Sequence, residues 1–195
     1  MSYKISLIKD PIEIDSVYEF VKDQNLDYPN YDLWAKKCYR ELKLGYKKAF
    51  AIVVNNQKGN PKVVGSLIFQ KSKKEPSVLE LKNGRVDKEF REKGIFTELL
   101  VQVEKYALEN NFKKIIGDAH FDMQDMIQIM EKRGYKIEAH ENLYSSNKIE
   151  VILTKDLSDK SLLISNLESR IIRLNNRIKL FFLKMFRFVL QANQE

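Results

Sequence analysis

The chain has 195 residues, 44% hydrophobic and 31% charged with 7 glycines, which suits one globular domain with a full core and room for an appendage. A single cysteine, Cys38, excludes a disulfide framework and a cysteine-rich metal site, and no run of 18 uncharged apolar residues offers a membrane-spanning helix. The net charge of +7 is uneven: the last 39 residues hold seven Lys/Arg against three Asp/Glu, so the first 156 carry only +3, which argues against nucleic acid as a partner.

The opening "MSYKISLIKDPIEID" has no apolar run of signal-peptide length and carries acids early, so a cytoplasmic protein is expected. "YKISLIK" (3–9) alternates and predicts a strand. Pro11 then opens a helix with Ile14, Val17, Tyr18 and Val21 on one face. After the turn "LDYPN", a second helix is predicted over 31–44, with Leu33, Trp34, Cys38, Leu42 and Leu44 on its apolar side and Gly45 as its stop. Cys38 reads there as a packed or surface thiol rather than a nucleophile.

Three β-rich runs follow, at 48–54, 62–70 and 77–86, the first two joined by the hairpin signal "NNQKGNP". The pattern then alternates: a helix over 94–109 (Leu99, Leu100, Val103, Tyr106, Ala107), a strand at 113–119 and a helix over 123–134. Strands at 135–144 and 149–155 complete it. The order β-α-α-β-β-β-α-β-α-β-β predicts an α+β domain over 1–156, with a mixed central sheet of about six to seven strands flanked by helices.

Residues 157–195 form a second predicted unit. Ile164, Leu167, Ile171, Leu174, Ile178, Phe181, Met185 and Phe188 recur at alternating spacings of three and four, a heptad stripe of the kind that pairs two helices. The end, "IKLFFLKMFRFVL", is apolar almost all round, so something must cover it. A second copy in a homodimer, packing on the main domain, an anionic membrane surface and another protein are the open alternatives.

The stretch "VDKEFREKGIFTELL" (86–100) carries the chemistry. A strand ending at Val86 delivers the chain to a helix start, where main-chain N–H groups lack internal partners and the dipole end is positive. Gly94 permits a close backbone approach, and Arg91 and Lys93 add positive charge, a combination that favours a phosphate group. The stretch resembles motif A of the GNAT N-acetyltransferases, a strand ending in Val, then Arg/Gln-x-x-Gly-x-Gly/Ala, then an apolar helix. Arg91, Gly94 and Phe96 take the three signature positions. The element order over 3–155 and "MIQIMEKRGYKI" are similar to the same family. The resemblance implies the GNAT acyltransferase fold, with acetyl-CoA as co-substrate between two splayed central strands. It implies a pyrophosphate on the amides of the 91–97 loop (Arg91, Lys93, Gly94, Ile95, Phe96, Thr97), and Val86 offering its backbone to the pantetheine arm. The Phe96 N–H serves such a cradle while its side chain points into the core. Gly84 in "KNGRV" fits a β-bulge that separates a strand from its neighbour, or a hairpin turn.

Acetyl transfer to an amine needs a proton acceptor. Glu80 lies an even six residues before Val86, which puts both on one strand face unless a bulge intervenes. It matches the strand glutamate that is the general base in histone-type relatives, and otherwise reads as a glutamate on a solvated face. Where many members place a tyrosine as acid, four before the Gly of the Gly-aromatic pair, this chain has Met130, which donates no proton. Asp118, His120 and Tyr144 are substitutes, Tyr135 reads as core, and His140 has no partner suggesting a metal. Tyr28, Tyr31, Trp34 and Tyr144 suggest an aromatic-lined acceptor pocket or plain core. The expected activity is N-acetyltransfer to a primary amine of a small molecule or protein. The alternative is a catalytically weak or inactive acyl-CoA-binding sensor or scaffold acting through its C-terminal helix.

Overall fold

Asp10 fixes the start of the first helix: its side chain accepts the N–H of Ile12 at 2.7 Å, and Pro11 sits where a missing N–H costs nothing. The structure is a computed structural model that describes residues 3–24, 29–55, 61–145 and 147–158. In chain order these form β1 (Lys4–Leu7), α1 (Pro11–Asp23), α2 (Tyr31–Lys43), β2 (Lys47–Asn55), β3 (Pro61–Lys71) and β4 (Val78–Val86). A 3-10 turn at Lys88–Phe90 leads to α3 (Ile95–Glu109), β5 (Lys114–His120), α4 (Gln124–Lys132), β6 (Lys136–Glu141) and β7 (Glu150–Asp156). The element order is the predicted one. The heptad segment and Tyr28 lie outside the described residues, as does most of the β2–β3 hairpin loop.

The strands form one mixed seven-stranded sheet in the order β1-β2-β3-β4-β5-β7-β6. Among the described residues β4–β5 is the parallel pair and the other pairings are antiparallel. Cross-strand partners share a face, so the register assigns each side chain. One face carries Ala49, Ala51, Val63 and Ile68, which join α1 and α2 (Ile14, Val17, Val21, Cys38, Leu42) in a single apolar cluster. On α2 the inward stripe is Tyr31, Ala35, Cys38 and Leu42, while Leu33 and Leu44, expected on that side, are 65% and 69% exposed. They sit off the i, i+4, i+7 row that meets the sheet.

The other face belongs to α3. An ideal Cβ on Gly65 would come within 2.7 Å of Ile95 Cγ2 and 3.4 Å of Leu99 Cδ1, so the missing side chain lets the helix approach β3. Glu104 on this helix, 6% exposed, is clasped by two cations: the Arg133 guanidinium at the end of α4, and Lys155 Nζ of β7 at 3.1 Å. Lys155 also donates to the Arg133 carbonyl at 2.7 Å, so one buried carboxylate ties α3, α4 and β7 together. Tyr135, 3% exposed, lies beneath this knot as core. Its hydroxyl is pushed well above its usual range by burial and by Glu104.

Two features of β4 position the site. Ile68 stands opposite Asn83 but Phe69 stands opposite Leu81, so Lys82 is an extra residue and forms a bulge. The bulge expected at Gly84 therefore falls two residues earlier, and Gly84 continues the strand opposite Leu67. β4 then stays with β5 for three pairs, Val78–Lys114, Leu79–Ile115 and Glu80–Ile116, and the two strands part.

Candidate active site

The parting opens a cleft of about 350 Å³ that runs through the sheet. Register divides its wall. Leu67, Leu81, Gly84 and Gly117 look toward α3, as the contact between Gly117 and Leu81 shows: a Cβ at 117 would meet Leu81 Cδ1 at 3.1 Å. Phe96 and the α4 residues Met126 and Met130 also line the cleft, which makes this half apolar and soft. Asn83, Arg85, Asp118 and His120 look toward α1 and α2, with Tyr31, Trp34 and Tyr144 closing that half.

At the C-terminal end of β4 the chain enters the 91–97 loop. Glu92 and Gly94 both take positive φ, 61° and 76°, the second as the residue before α3. A Cβ on Gly94 would meet nothing within 4 Å, so glycine is needed there for its backbone angle and not for space. The first bond closing α3 runs from the Glu98 N–H to the Gly94 carbonyl at 3.0 Å. The N–H groups of Ile95, Phe96 and Thr97 precede it and point out along the helix axis. Lys93 stands over the Phe90 ring at 4.9 Å and donates to the Glu89 carbonyl at 2.8 Å. Arg91 and Lys93 are exposed, and Ile95 is buried beneath the loop.

Phe96 departs from the sequence expectation. Its ring is not in the core but half-buried over Gly84, at the wall of the cleft. Of the residues expected around the co-substrate it is the one that lines the cleft, and Val86 closes β4 beside it.

Glu80 is placed differently from the even-spacing expectation. The bulge at Lys82 inverts the parity, so Glu80 shares the α1/α2 face with Asn83 while Val86 faces α3. Its carboxylate ends a polar chain: Lys47 donates to Glu41 and to Gln70 at 2.5 Å each, and Gln70 Nε2 donates to Glu80 at 2.9 Å. Lys82 Nζ meets the same carboxylate at 2.7 Å. Burial pushes Glu80 up, but hydrogen bonds from Lys82, Ser72 and Gln70 outweigh it and hold the carboxyl below its ordinary value. Glu80 is not among the residues lining the cleft.

Asp118 is among them, and it behaves oppositely. Burial pushes its carboxyl above the usual range, against the pull of Tyr144 and Lys82, and Glu150 adds to the rise. Tyr144 donates to Asp118 Oδ2 at 3.0 Å across 26 positions of sequence. The sequence offered Asp118, His120 and Tyr144 as separate substitutes for the missing acid; the fold brings all three to the same wall. Met130, 2% exposed, packs in the apolar half. Tyr31, also buried, donates its hydroxyl to the Val21 carbonyl at 2.8 Å and stacks on Trp34 at 5.6 Å. Lys82 and Asn83 went unnoticed in the sequence because only the bulge turns them toward the cleft. Cys38 is buried and its thiol is pushed up to about 12 by desolvation, which leaves it no nucleophilic role. Among the described residues no three His, Cys, Asp or Glu gather where they would hold a metal ion, and no helix is long and apolar enough to cross a membrane.

Comparison with known proteins gives one family: a model described as the acetyltransferase (GNAT) family matches residues 14–135. No curated protein sequence matches the chain. Solved structures share the fold at low identity. An N-acetyltransferase from Staphylococcus aureus Mu50 superposes with a TM-score of 0.64 at 15% identity, over 81% of this chain and 100% of its own. The ribosomal-protein-S18-alanine N-acetyltransferase of Escherichia coli gives 0.64 at 15%, over 80% and 95%. Arabidopsis thaliana NAA60, in complex with a bisubstrate analogue, gives 0.62 at 12%, over 78% and 98%.

Proposed function

The chain belongs to the GNAT acetyltransferase family, and from that premise we propose that it moves the acetyl group of acetyl-CoA to a primary amine of a small molecule or protein. One observation carries the reading. β4 and β5 part directly after the Glu80–Ile116 pair, and the free N-terminus of α3 lies at the far end of the gap.

The residues present fit a pyrophosphate-bearing thioester. The N–H groups of Ile95, Phe96 and Thr97 suit an anion, with Gly94 supplying the turn and Arg91 and Lys93 the charge. The side of β4 turned toward β5, from Leu81 up to Val86, offers main-chain groups to an extended arm, and Leu81, Met126 and Met130 exclude water from the inner end. Acetyl-CoA supplies an activated acetyl group there; the chain's task is to hold the amine beside it and take a proton from nitrogen.

Met130 supports a second reading, an acyl-CoA sensor, because a buried thioether stands where many members of the family are expected to carry a proton-donating tyrosine. Thiol release from acetyl-CoA, measured over a panel of amines with identification of the product by mass, separates the two. Turnover with an N-acetyl product supports the transferase, and tight coenzyme A binding without turnover supports the sensor. For residues 157–195 the heptad stripe favours a homodimer. Sedimentation of the full chain against a version ending at Asp156 tests it, a dimer turning to monomer being the expected result.

A further inference from the structure

The α1/α2 half of the cleft offers hydrogen-bond acceptors in a setting that disfavours leaving them unmet. Asn83, 7% exposed, lines this half with its Oδ1 enclosed and without a hydrogen-bond partner among the described residues. The Asp118 carboxylate opens on the same space. Glu150, 0% exposed, accepts the Leu143 N–H at 3.0 Å and so anchors the β6–β7 loop whose Tyr144 reaches Asp118. The Asp118 carboxylate, in a cleft also lined by the aromatic pair Tyr31–Trp34, suits a ligand group that is positively charged and rich in N–H donors.

Resting on the acetyltransferase reading, we infer that Asp118 takes the proton from the acceptor's ammonium group and that Tyr144 positions the carboxylate. One N–H bond breaks, its proton passes to an Asp118 oxygen, and the electron pair stays on nitrogen. That pair forms the C–N bond as the C–S bond breaks. The second proton lost from nitrogen leaves with the sulfur as thiol, and Asp118 returns its own proton to water. Glu80, which its polar chain keeps ionised and occupied, has no part in this transfer.

The titratable and charged groups around Asp118 are Lys82 (held by Glu80) and Arg85 from β4, Glu150 from β7, Tyr144 from the β6–β7 loop, Tyr31 from α2, and His120 on its own strand. Desolvation by these walls keeps the carboxyl above the ordinary range, where it accepts a proton more readily than a surface aspartate.

The test uses the full chain, acetyl-CoA, and three probe amines: spermidine, a peptide with a free α-amino group, and an N-blocked peptide with one lysine. Asp118→Asn is expected to lower kcat/KM about 100-fold or more while coenzyme A affinity by calorimetry is kept. The acid limb of the wild-type pH profile is expected to vanish in that variant. In Tyr144→Phe it is expected to move to higher pH, because a hydrogen bond to the charged form is lost. An Asp118→Asn enzyme within about threefold of wild type, or an unmoved limb, overturns this inference alone, and a large loss in Glu80→Gln would return the role to Glu80. A wild type silent on all three amines overturns the acetyltransferase reading and this inference with it.

Discussion

Phe96 occupies the space that a side chain at Gly84 would need: a Cβ built on Gly84 comes within 2.7 Å of Phe96 Cε2 and 3.3 Å of Leu67 Cδ1. The glycine in the strand and the aromatic in the helix are thus one fitted pair at the wall of the cleft. Gly84→Ala is expected to destabilise the fold by about 1–3 kcal/mol through overpacking, and Gly84→Ala with Phe96→Leu to recover most of it. Urea unfolding of the two single variants and the double variant measures the coupling. Additive losses would mean that the pair does not fit as described.

Gly94 makes a different demand. Its φ of 76° lies in the left-handed region while nothing stands within 4 Å of its missing Cβ. Gly94→Ala should cost about 1–2 kcal/mol in stability by backbone strain, without a clash. If the loop binds pyrophosphate, the same variant loses coenzyme A affinity. A melting curve and a coenzyme A titration on one sample read both effects.

Among the described residues Glu104 is the single anion between Arg133 and Lys155 in the buried knot that joins α3, α4 and β7. Glu104→Gln leaves two cations without their counter-charge and is expected to cost about 3–5 kcal/mol at neutral pH. Burial already holds Lys155 below its usual range. The deficit should therefore shrink at alkaline pH, where Lys155 sheds its proton. Denaturation midpoints across pH check the sign.

Asp118 links stability to pH in the opposite sense from a salt-bridged carboxylate. Its pKa is raised on folding, so the folded state binds the proton more tightly than the unfolded one. That contribution is present below the unfolded-state pKa and is lost as pH rises through the folded-state pKa. Asp118→Asn should match wild type in acid and gain on it as pH rises through that window, then level off. A variant that loses activity while its melting temperature rises has the signature of a strained functional group. A lower melting temperature at neutral pH would show a structural role instead.

Cys38 is fully reduced and inert in this picture. With its thiol pushed up to about 12 by burial, labelling by a thiol reagent at neutral pH is expected only as fast as the protein unfolds. Rapid labelling of the native chain would place Cys38 outside the α1/α2 core.

The element order was legible because it depends on local periodicity: Ile14, Val17 and Val21 on α1 and Leu99, Leu100 and Val103 on α3 are where the sequence puts them, and buried. Gly94 was legible for the same local reason, as a glycine just ahead of an apolar helix. What the sequence misplaced depended on register. The glycine of "KNGRV" drew the expected bulge to Gly84, but the extra residue is Lys82, and that shift alone moves Glu80 to the face opposite Val86. The side-chain direction of Phe96 follows from the bare strand surface at Gly84, a residue the chain brings near only after β3 and β4 pair. The Asp118–Tyr144 contact required β7 to pair between β5 and β6, an arrangement no window of the sequence contains.

A β-sheet ordinarily has two edges. Because β4 and β5 separate after three pairs, this one has four among the described residues: the outer rims at β1 and β6, and two inner edges, 81–86 and 117–120, that face each other across the cleft. Among the described residues each inner strand is bonded on its far side, to β3 or β7, and unpaired on its near side beyond Glu80–Ile116. A ligand carrying amide groups and seated in that gap would complete the sheet in place of the missing strand. Main-chain protection against hydrogen exchange should then rise together along both inner edges.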